Sequence, residues 1–333
     1  MRQDGTLPEK LRSDLRRLEG QKVAKPPTEM KSQFLRSLPN VKVNLKSTFG
    51  LPNEGSALSF SKRSPLVPQP IRNFQFERTA TACILAGLLY NKRVLLVGEH
   101  GSGKSTHIEQ VCCKLNWPCV RLSMDSYLTR LELIGRDSIA IKNAKPSIKF
   151  KYGLLPWAIK RPLVLILDDF DACKPEAKFV FNRLLETGGE LIVPESSKLI
   201  RPNACFRLFA TCNSTTGSYV GTFRGNAAHF DRWQLVLSMP RLAPSQERNL
   251  ICLPAEFTAE GKIAIVLKLL RKLKGKGKVA TALTYRGLRS WCELSIILNS
   301  AQEAFKHSYL SKCLDSERPL AKKCFEATFG LNV

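Results

Sequence analysis

The sequence has no run of eighteen or more apolar residues, so no stretch is long enough to cross a bilayer as a helix. The amino-terminal residues lack an apolar segment and interleave Asp4, Glu9, Asp14 and Glu19 with basic side chains, unlike a secretory leader. The expected location is therefore the cytoplasm, with no membrane partner. Histidine is scarce: His100, His107, His229 and His307 are the four in 333 residues, and none falls at zinc spacing from a cysteine. Eleven cysteines are present but no C-x-x-C pair, which argues against a disulfide framework or a structural metal. Most of them read as small core hydrophobes. Acid is also in deficit, with 28 Asp and Glu against 52 Lys and Arg, a net charge of +24. Such a field attracts nucleic acid, a membrane surface or acidic proteins, and charge alone does not choose among them. The densest basic cluster runs from Lys262 to Lys278 through Lys268, Arg271, Lys272, Lys274 and Lys276. It reads as the solvated face of an amphipathic helix that buries Ile265, Val266, Leu269, Leu270 and Leu273.

What is present begins with Gly98-Glu99-His100-Gly101-Ser102-Gly103-Lys104-Ser105-Thr106, which fits G-x-x-x-x-G-K-[ST], the phosphate-binding loop of nucleotide triphosphatases. The preceding Arg93-Val94-Leu95-Leu96-Val97 reads as a buried parallel strand. From Ser105 to Leu115, Ile108, Val111, Cys112 and Leu115 recur at helical spacing. Gly98, Gly101 and Gly103 let backbone N–H groups close around phosphate oxygens, and the helix N-terminus adds its positive dipole end. Lys104 reaches the β- and γ-phosphates and the Ser105 hydroxyl binds Mg²⁺. The expected ligands are ATP and Mg²⁺, with Glu99, His100, Ser102 and Thr106 completing the loop.

A second signature follows in Leu163-Val164-Leu165-Ile166-Leu167-Asp168-Asp169, a buried strand ending in two carboxylates. In a nucleotide triphosphatase the first acid, Asp168, holds Mg²⁺ through water and the second, Asp169, activates the attacking water. The strand at 206–211 ends at Cys212-Asn213, where a polar tip residue can orient that water. Taken without that context, a lone Asn at a strand end reads as an ordinary turn residue.

The remaining pattern sets the expected layout. A flexible basic arm occupies residues 1–40, with one short helix from Leu11 to Leu18, and a short strand and Pro-rich connection occupy 41–77. An α/β nucleotide-binding domain fills 78–240: a helix over 78–90, a strand over 118–122, a hairpin within 137–151, a helix over 174–187, and a fifth strand at 234–237 after Asp231-Arg232-Trp233. Helical periods alone remain over 241–333, at 247–251, 262–273, 288–298 and 321–329. The expected fold class is α/β, a parallel five-stranded sheet flanked by helices, with a C-terminal helical lid.

Phosphate loop, Asp-Asp strand, strand-end Asn, Asp-Arg-Trp and helical lid, in that order, resemble the AAA+ ATPases, in the branch of MoxR-type proteins and metal chelatases. More narrowly, Gly103-Lys104-Ser105-Thr106-His107-Ile108-Glu109-Gln110-Val111 and Leu115-Asn116-Trp117-Pro118-Cys119-Val120-Arg121 are similar to the CobS family, the ATPase subunit of aerobic cobaltochelatase. So are the segments 153–158, 200–202, 206–211 and 309–313. The resemblance spans residues 40–331.

It implies an ATP-hydrolysing motor that forms a homo-oligomeric ring, a hexamer, and works with two other subunits. One carries an integrin-like metal-binding domain; the other, larger, holds the corrin and Co²⁺. ATP hydrolysis then drives cobalt into hydrogenobyrinic acid a,c-diamide in cobalamin synthesis. By matching position the resemblance makes Asp169 the catalytic acid, Asn213 the first sensor, Arg232 the arginine finger reaching a neighbouring subunit's nucleotide, and Arg286 the lid sensor. Two departures stand out. The family has Glu where this chain has Asp169, which shortens the side chain by one methylene, and the stretch Ser214-Thr215-Thr216-Gly217 after Asn213 is shorter than the family's loop. The competing readings are an AAA+ protein acting on nucleic acid, which no helix-turn-helix, zinc finger or aromatic-basic motif supports, and a nucleotide-dependent scaffold that hydrolyses little.

Overall fold

The computed structural model describes residues 38–52, 55–142, 145–213, 230–240, 242, 246, 249 and 260–330, with the backbone alone at 140–142, 145–147, 149 and 260. The expected arm with its Leu11–Leu18 helix lies outside the described residues except at its last three positions. The loop at 214–217 and, apart from Asn249, the helix at 247–251 lie outside them too.

The described chain opens with strand β1 (Val41–Asn44), helix α1 (Leu45–Phe49) and strand β2 (Ser56–Ser59), β1 and β2 pairing antiparallel. Asn44 caps α1 by accepting from Ser47 N at 3.0 Å. Helix α2 (Arg78–Tyr90) spans the expected residues and is capped by Glu77, whose carboxylate accepts from Ala80 N. It comes so close to the sheet that a Cβ on Gly87 would stand 2.6 Å from Val94 and 2.7 Å from the Phe209 ring. Strand β3 (Val94–Gly98) then leads through the glycine loop into helix α3 (Lys104–Lys114). Strand β4 (Cys119–Ser123), helix α4 (Arg130–Ile134), the hairpin β5 (Gly135–Lys142) with β6 (Lys145–Tyr152), helix α5 (Leu154–Ile159) and strand β7 (Val164–Asp168) follow.

The helix expected over 174–187 is broken. Helix α6 (Pro175–Lys178), a 3₁₀ turn (Phe179–Phe181) and helix α7 (Asn182–Leu185) replace it. Ala177, Lys178, Val180, Phe181, Leu184 and Leu185 are buried and Phe179 is exposed, so the segment keeps one buried side through the break. Lys178 can be buried because its ammonium donates to Asp171 O at 3.3 Å and lies 5.5 Å from the Phe170 ring centre. The sequence pattern also misses a small hairpin, β8 (Leu191–Val193) with β9 (Lys198–Ile200).

Strand β10 (Arg207–Asn213) and strand β11 (Leu235–Ser238) complete a five-stranded sheet in the order β11-β3-β10-β7-β4, parallel at every pairing. The three central strands β3, β7 and β10 are buried nearly throughout, as parallel strands covered on both faces are, whereas the edge strands β4 and β11 are only partly buried. The register sets Asn213 opposite Gly98 and Ser123 opposite Asp168, so the motifs meet at the carboxyl ends of neighbouring strands. Open α/β sheets bind their ligands at that edge.

Beyond the sheet come helices α8 (Glu260–Gly275), α9 (Tyr285–Ile297), α10 (Ala301–Ser308) and α11 (Arg318–Phe329). They enclose a second core of Val266, Leu270, Leu288, Trp291, Phe305 and Phe325. Helix α10 has no counterpart in the expected pattern. In α8 the buried stripe is Ile263, Val266, Leu267 and Leu270, while Ile265 is 52% exposed, so the expected phase is corrected. The stripe follows the side of α8 that packs on α11. Lys262, Lys268 and Lys272 do lie on the exposed side, and Lys276, just past the helix, is exposed as well. No helix among the described residues is long and apolar enough to cross a membrane.

Candidate functional site

The loop from Gly98 to Gly103 turns on two left-handed backbone positions, Gly101 at φ 74° and Gly103 at φ 86°, which glycine adopts without a Cβ penalty. Beneath it lies Lys104, only 6% exposed, donating to Gly98 O and Glu99 O at 3.0 Å each and to Asn213 Oδ1 at 3.3 Å. Burial pulls the Lys104 ammonium below its ordinary range, and Asp169, Asp168 and Asp171 pull it back. Ser102 Oγ is buried without a hydrogen-bond partner among the described residues. Ser105 is buried in the first turn of α3, Thr106 is half-buried, and His100 is exposed at the loop tip.

Asp168 ends β7 with both carboxylate oxygens engaged. Oδ1 accepts from the hydroxyls of Ser105 and, at 2.6 Å, of Thr211, while Oδ2 accepts twice from the Arg121 guanidinium, with Nε at 2.8 Å. Burial alone raises this carboxyl; the three hydrogen-bond donors and the Arg121 charge outweigh it and hold the group below the usual carboxylate range. Asp169 adopts φ 52° and its N–H donates to Thr211 Oγ1. Asn213 is brought to the same place. Its backbone N–H donates to Asp171 Oδ1 at 3.2 Å, and its amide donates to Asp169 Oδ1 at 3.4 Å and Asp171 Oδ2 at 3.5 Å. The lysine, hydroxyl, paired acids and strand-end Asn expected from sequence thus form one connected set.

An orphaned hydroxyl, an open left-handed glycine with nothing within 4 Å of its missing Cβ, a buried ammonium and a Ser–Asp pair fit a polyphosphate with a divalent cation. Over the loop tip opens a cleft of about 400 Å³, walled on one side by Glu99 to Ser102 and on the other by Leu270, Arg271, Lys274 and Tyr285. Lys274 Nζ sits 3.6 Å from the Glu99 carboxylate, and Thr284 presses against Gly101, leaving 2.6 Å for a Cβ there. Arg286 is exposed in the first turn of α9, next to Tyr285.

Arg232 is placed elsewhere. It precedes β11, whose Leu235 pairs with Val94 at the start of β3, and the neighbouring Gln234 accepts from Arg93 N. The loop lies at the other end of β3, four residues or about 13 Å of strand away. Arg232 therefore belongs to the opposite edge of the sheet from its own subunit's loop.

Arg121, Thr211 and Asp171 are site residues that sequence reasoning missed. Asp171 had a signal, as a third acid two positions beyond Asp169. Arg121 had none until the strand order set β4 beside β7.

A model of the AAA domain (dynein-related subfamily) matches residues 93–228. Aerobic cobaltochelatase subunit CobS from a Sinorhizobium species is 36% identical over 311 residues, covering 90% of this chain and 94% of that protein. The chain belongs to the CobS family of AAA+ proteins. CobS likeness thus runs through the sheet, the loop and the C-terminal helices alike. Midasin of Dictyostelium discoideum is 27% identical over 209 residues, 60% of this chain but 3% of midasin. An uncharacterized protein of Staphylococcus aureus is 25% identical over 233 residues, 68% of this chain and 86% of its own length.

Proposed function

We propose that this chain is the ATP-hydrolysing motor subunit of a multi-subunit cobaltochelatase, driving Co²⁺ into hydrogenobyrinic acid a,c-diamide in aerobic cobalamin biosynthesis. The observation that carries the reading is the near full-length likeness to CobS, joined to a connected loop and carboxylate site. Lys104 and the loop N–H groups bind the β- and γ-phosphates, while Ser105 and Asp168 hold the Mg²⁺. Bound MgATP supplies the phosphoanhydride bond whose hydrolysis releases the free energy. Asp169 Oδ1 takes a proton from water, and Asn213, gripped by Asp171, fixes where that water sits. Arg286 serves as the lid sensor, approaching the phosphates as the cleft closes.

Arg232 points this reading toward assembly. Standing at the far edge of its own sheet, it completes the site of the neighbouring subunit in a homo-oligomeric ring, taken as a hexamer. A finger supplied in this way contributes about 10³–10⁵ in rate, so hydrolysis requires the ring. The integrin-like subunit and the large corrin- and cobalt-binding subunit complete the complex. The cobalt is cargo held on those partners.

Reconstitution tests the reading. The chain is mixed with the two partner subunits, hydrogenobyrinic acid a,c-diamide, Co²⁺ and ATP, and metallated corrin is followed by absorbance. ATP-dependent insertion that is lost with Lys104→Ala supports it. Insertion that proceeds equally with Lys104→Ala, or none with the wild type, contradicts it.

A further inference from the structure

We infer that Arg121 is a positioning residue for the divalent cation, holding the Asp168 carboxylate in the orientation that presents Oδ1 to Ser105. The inference rests on the nucleotide-binding reading above and assigns a role to a residue outside both signatures.

The geometry is specific. A carboxylate turns about a broad, two-fold torsion and does not fix its own plane. Here three elements fix it. From α3 the Ser105 hydroxyl and from β10 the Thr211 hydroxyl both donate to Oδ1, and from β4 two N–H groups of one guanidinium donate to Oδ2. Arg121 faces Ile166 across the sheet and reaches two residues forward to Asp168, so its grip depends on β4 lying beside β7. With Oδ2 occupied, the inner oxygen is the one left facing the Ser105 hydroxyl. Thr211 also accepts from Asp169 N–H at 3.1 Å, so the orientation of Asp168 is tied to the backbone of Asp169. Glu109 of α3 lies within electrostatic reach of the same guanidinium. The fork of an arginine makes this double grip on one oxygen, which a lysine ammonium does not reproduce.

A cation beside a metal-holding carboxylate has two effects of opposite sign. Its charge repels the metal, whereas its hydrogen bonds orient the carboxylate. The Arg121 side chain is 39% exposed, so solvent screens the charge while the orientation is retained. Orientation therefore dominates, and removing Arg121 weakens the metal rather than tightening it.

The test measures binding, not turnover. A fluorescent, non-hydrolysable ATP analogue is bound to the full chain in EDTA and then across a Mg²⁺ titration. Outer-shell partners of metal ligands are worth about 10–100-fold in metal affinity, so Arg121→Ala is expected to raise the half-saturating Mg²⁺ by about that factor. Binding in EDTA is expected to be unchanged, and Arg121→Lys to recover part of the loss. Arg121→Gln, which keeps an amide donor, serves if the Ala variant unfolds, and is expected to show a smaller rise. An unchanged or lowered half-saturating Mg²⁺ overturns the assignment. So does an equal loss of EDTA binding, which marks general damage to the loop. Wild-type protein that binds no analogue, or binds it without regard to Mg²⁺, overturns the nucleotide reading itself, and that failure appears before any variant is compared.

Discussion

At the scale of single residues, the site centres on Lys104, whose buried ammonium meets two loop carbonyls, Asn213 and the field of three aspartates. Asp169 is the residue where backbone and chemistry pull against each other. It occupies the left-handed region at φ 52°, which Asp tolerates better than longer side chains. The same choice retracts the carboxylate by a methylene, and a misplacement near 1 Å can cost about 10²-fold in rate. Asp169→Glu is accordingly expected to raise ATP turnover at a small loss of stability, read from steady-state phosphate release and a melting curve. A variant no faster than wild type contradicts this. Lys104, Ser105 and Asp168 were legible in the sequence because the loop motif and a strand ending in acids fix their spacing. Arg121 and Thr211 were not. Their contact with Asp168 comes from strand order, and no local pattern encodes which strands become neighbours.

At the scale of elements, close approach and capping carry much of the fold. Gly87→Val in α2 would drive a side chain into Val94 and the Phe209 ring, and overpacking of this kind costs about 1–3 kcal/mol. A lowered denaturant midpoint with an unchanged slope is the expected result; an unshifted midpoint contradicts it. In the C-terminal helices, Glu317 is 6% exposed and accepts from Ala280 N at 2.6 Å and Thr281 N at 3.4 Å. Burial raises its carboxyl, but hydrogen bonding from the Thr281 side chain, together with these backbone N–H groups, wins and holds it below the ordinary value. A lowered folded pKa adds stability that is present above the unfolded value, about 4.3 for Glu, and is lost as pH falls through the folded one. Glu317→Gln should therefore melt lower than wild type at pH 7, with the gap narrowing below about pH 4.3. A gap that stays constant with pH would refute the charge-based account. Helices with a steady period, such as α2 and α3, were readable from sequence. The break at Phe179–Phe181 was not, because the buried residues across it, Ala177, Phe181, Leu184 and Leu185, still fall on one side of an α-helix.

At the scale of the molecule, the loop and the C-terminal helices close on one another through Glu99 with Lys274 and Gly101 with Thr284, while Arg232 lies at the sheet's other edge. If Arg232 completes a neighbour's site, Arg232→Ala should leave nucleotide binding intact and remove turnover. Mixing it with Lys104→Ala should restore part of the rate, since some interfaces then pair an intact lysine with an intact finger. No recovery in any mixture would contradict action between subunits. The α/β architecture and helical end were legible from periodicity alone; ring assembly and partners are properties of surfaces that one chain's pattern does not record. The most direct test of the whole account is the ATP turnover of the purified chain at fixed salt. It is measured alone, with the integrin-like and large chelatase subunits, and with DNA or RNA. The account predicts stimulation by the chelatase subunits, with cobalt entering the corrin, and none by polynucleotide. Stimulation by polynucleotide alone would contradict it and make the basic face of α8 the working surface.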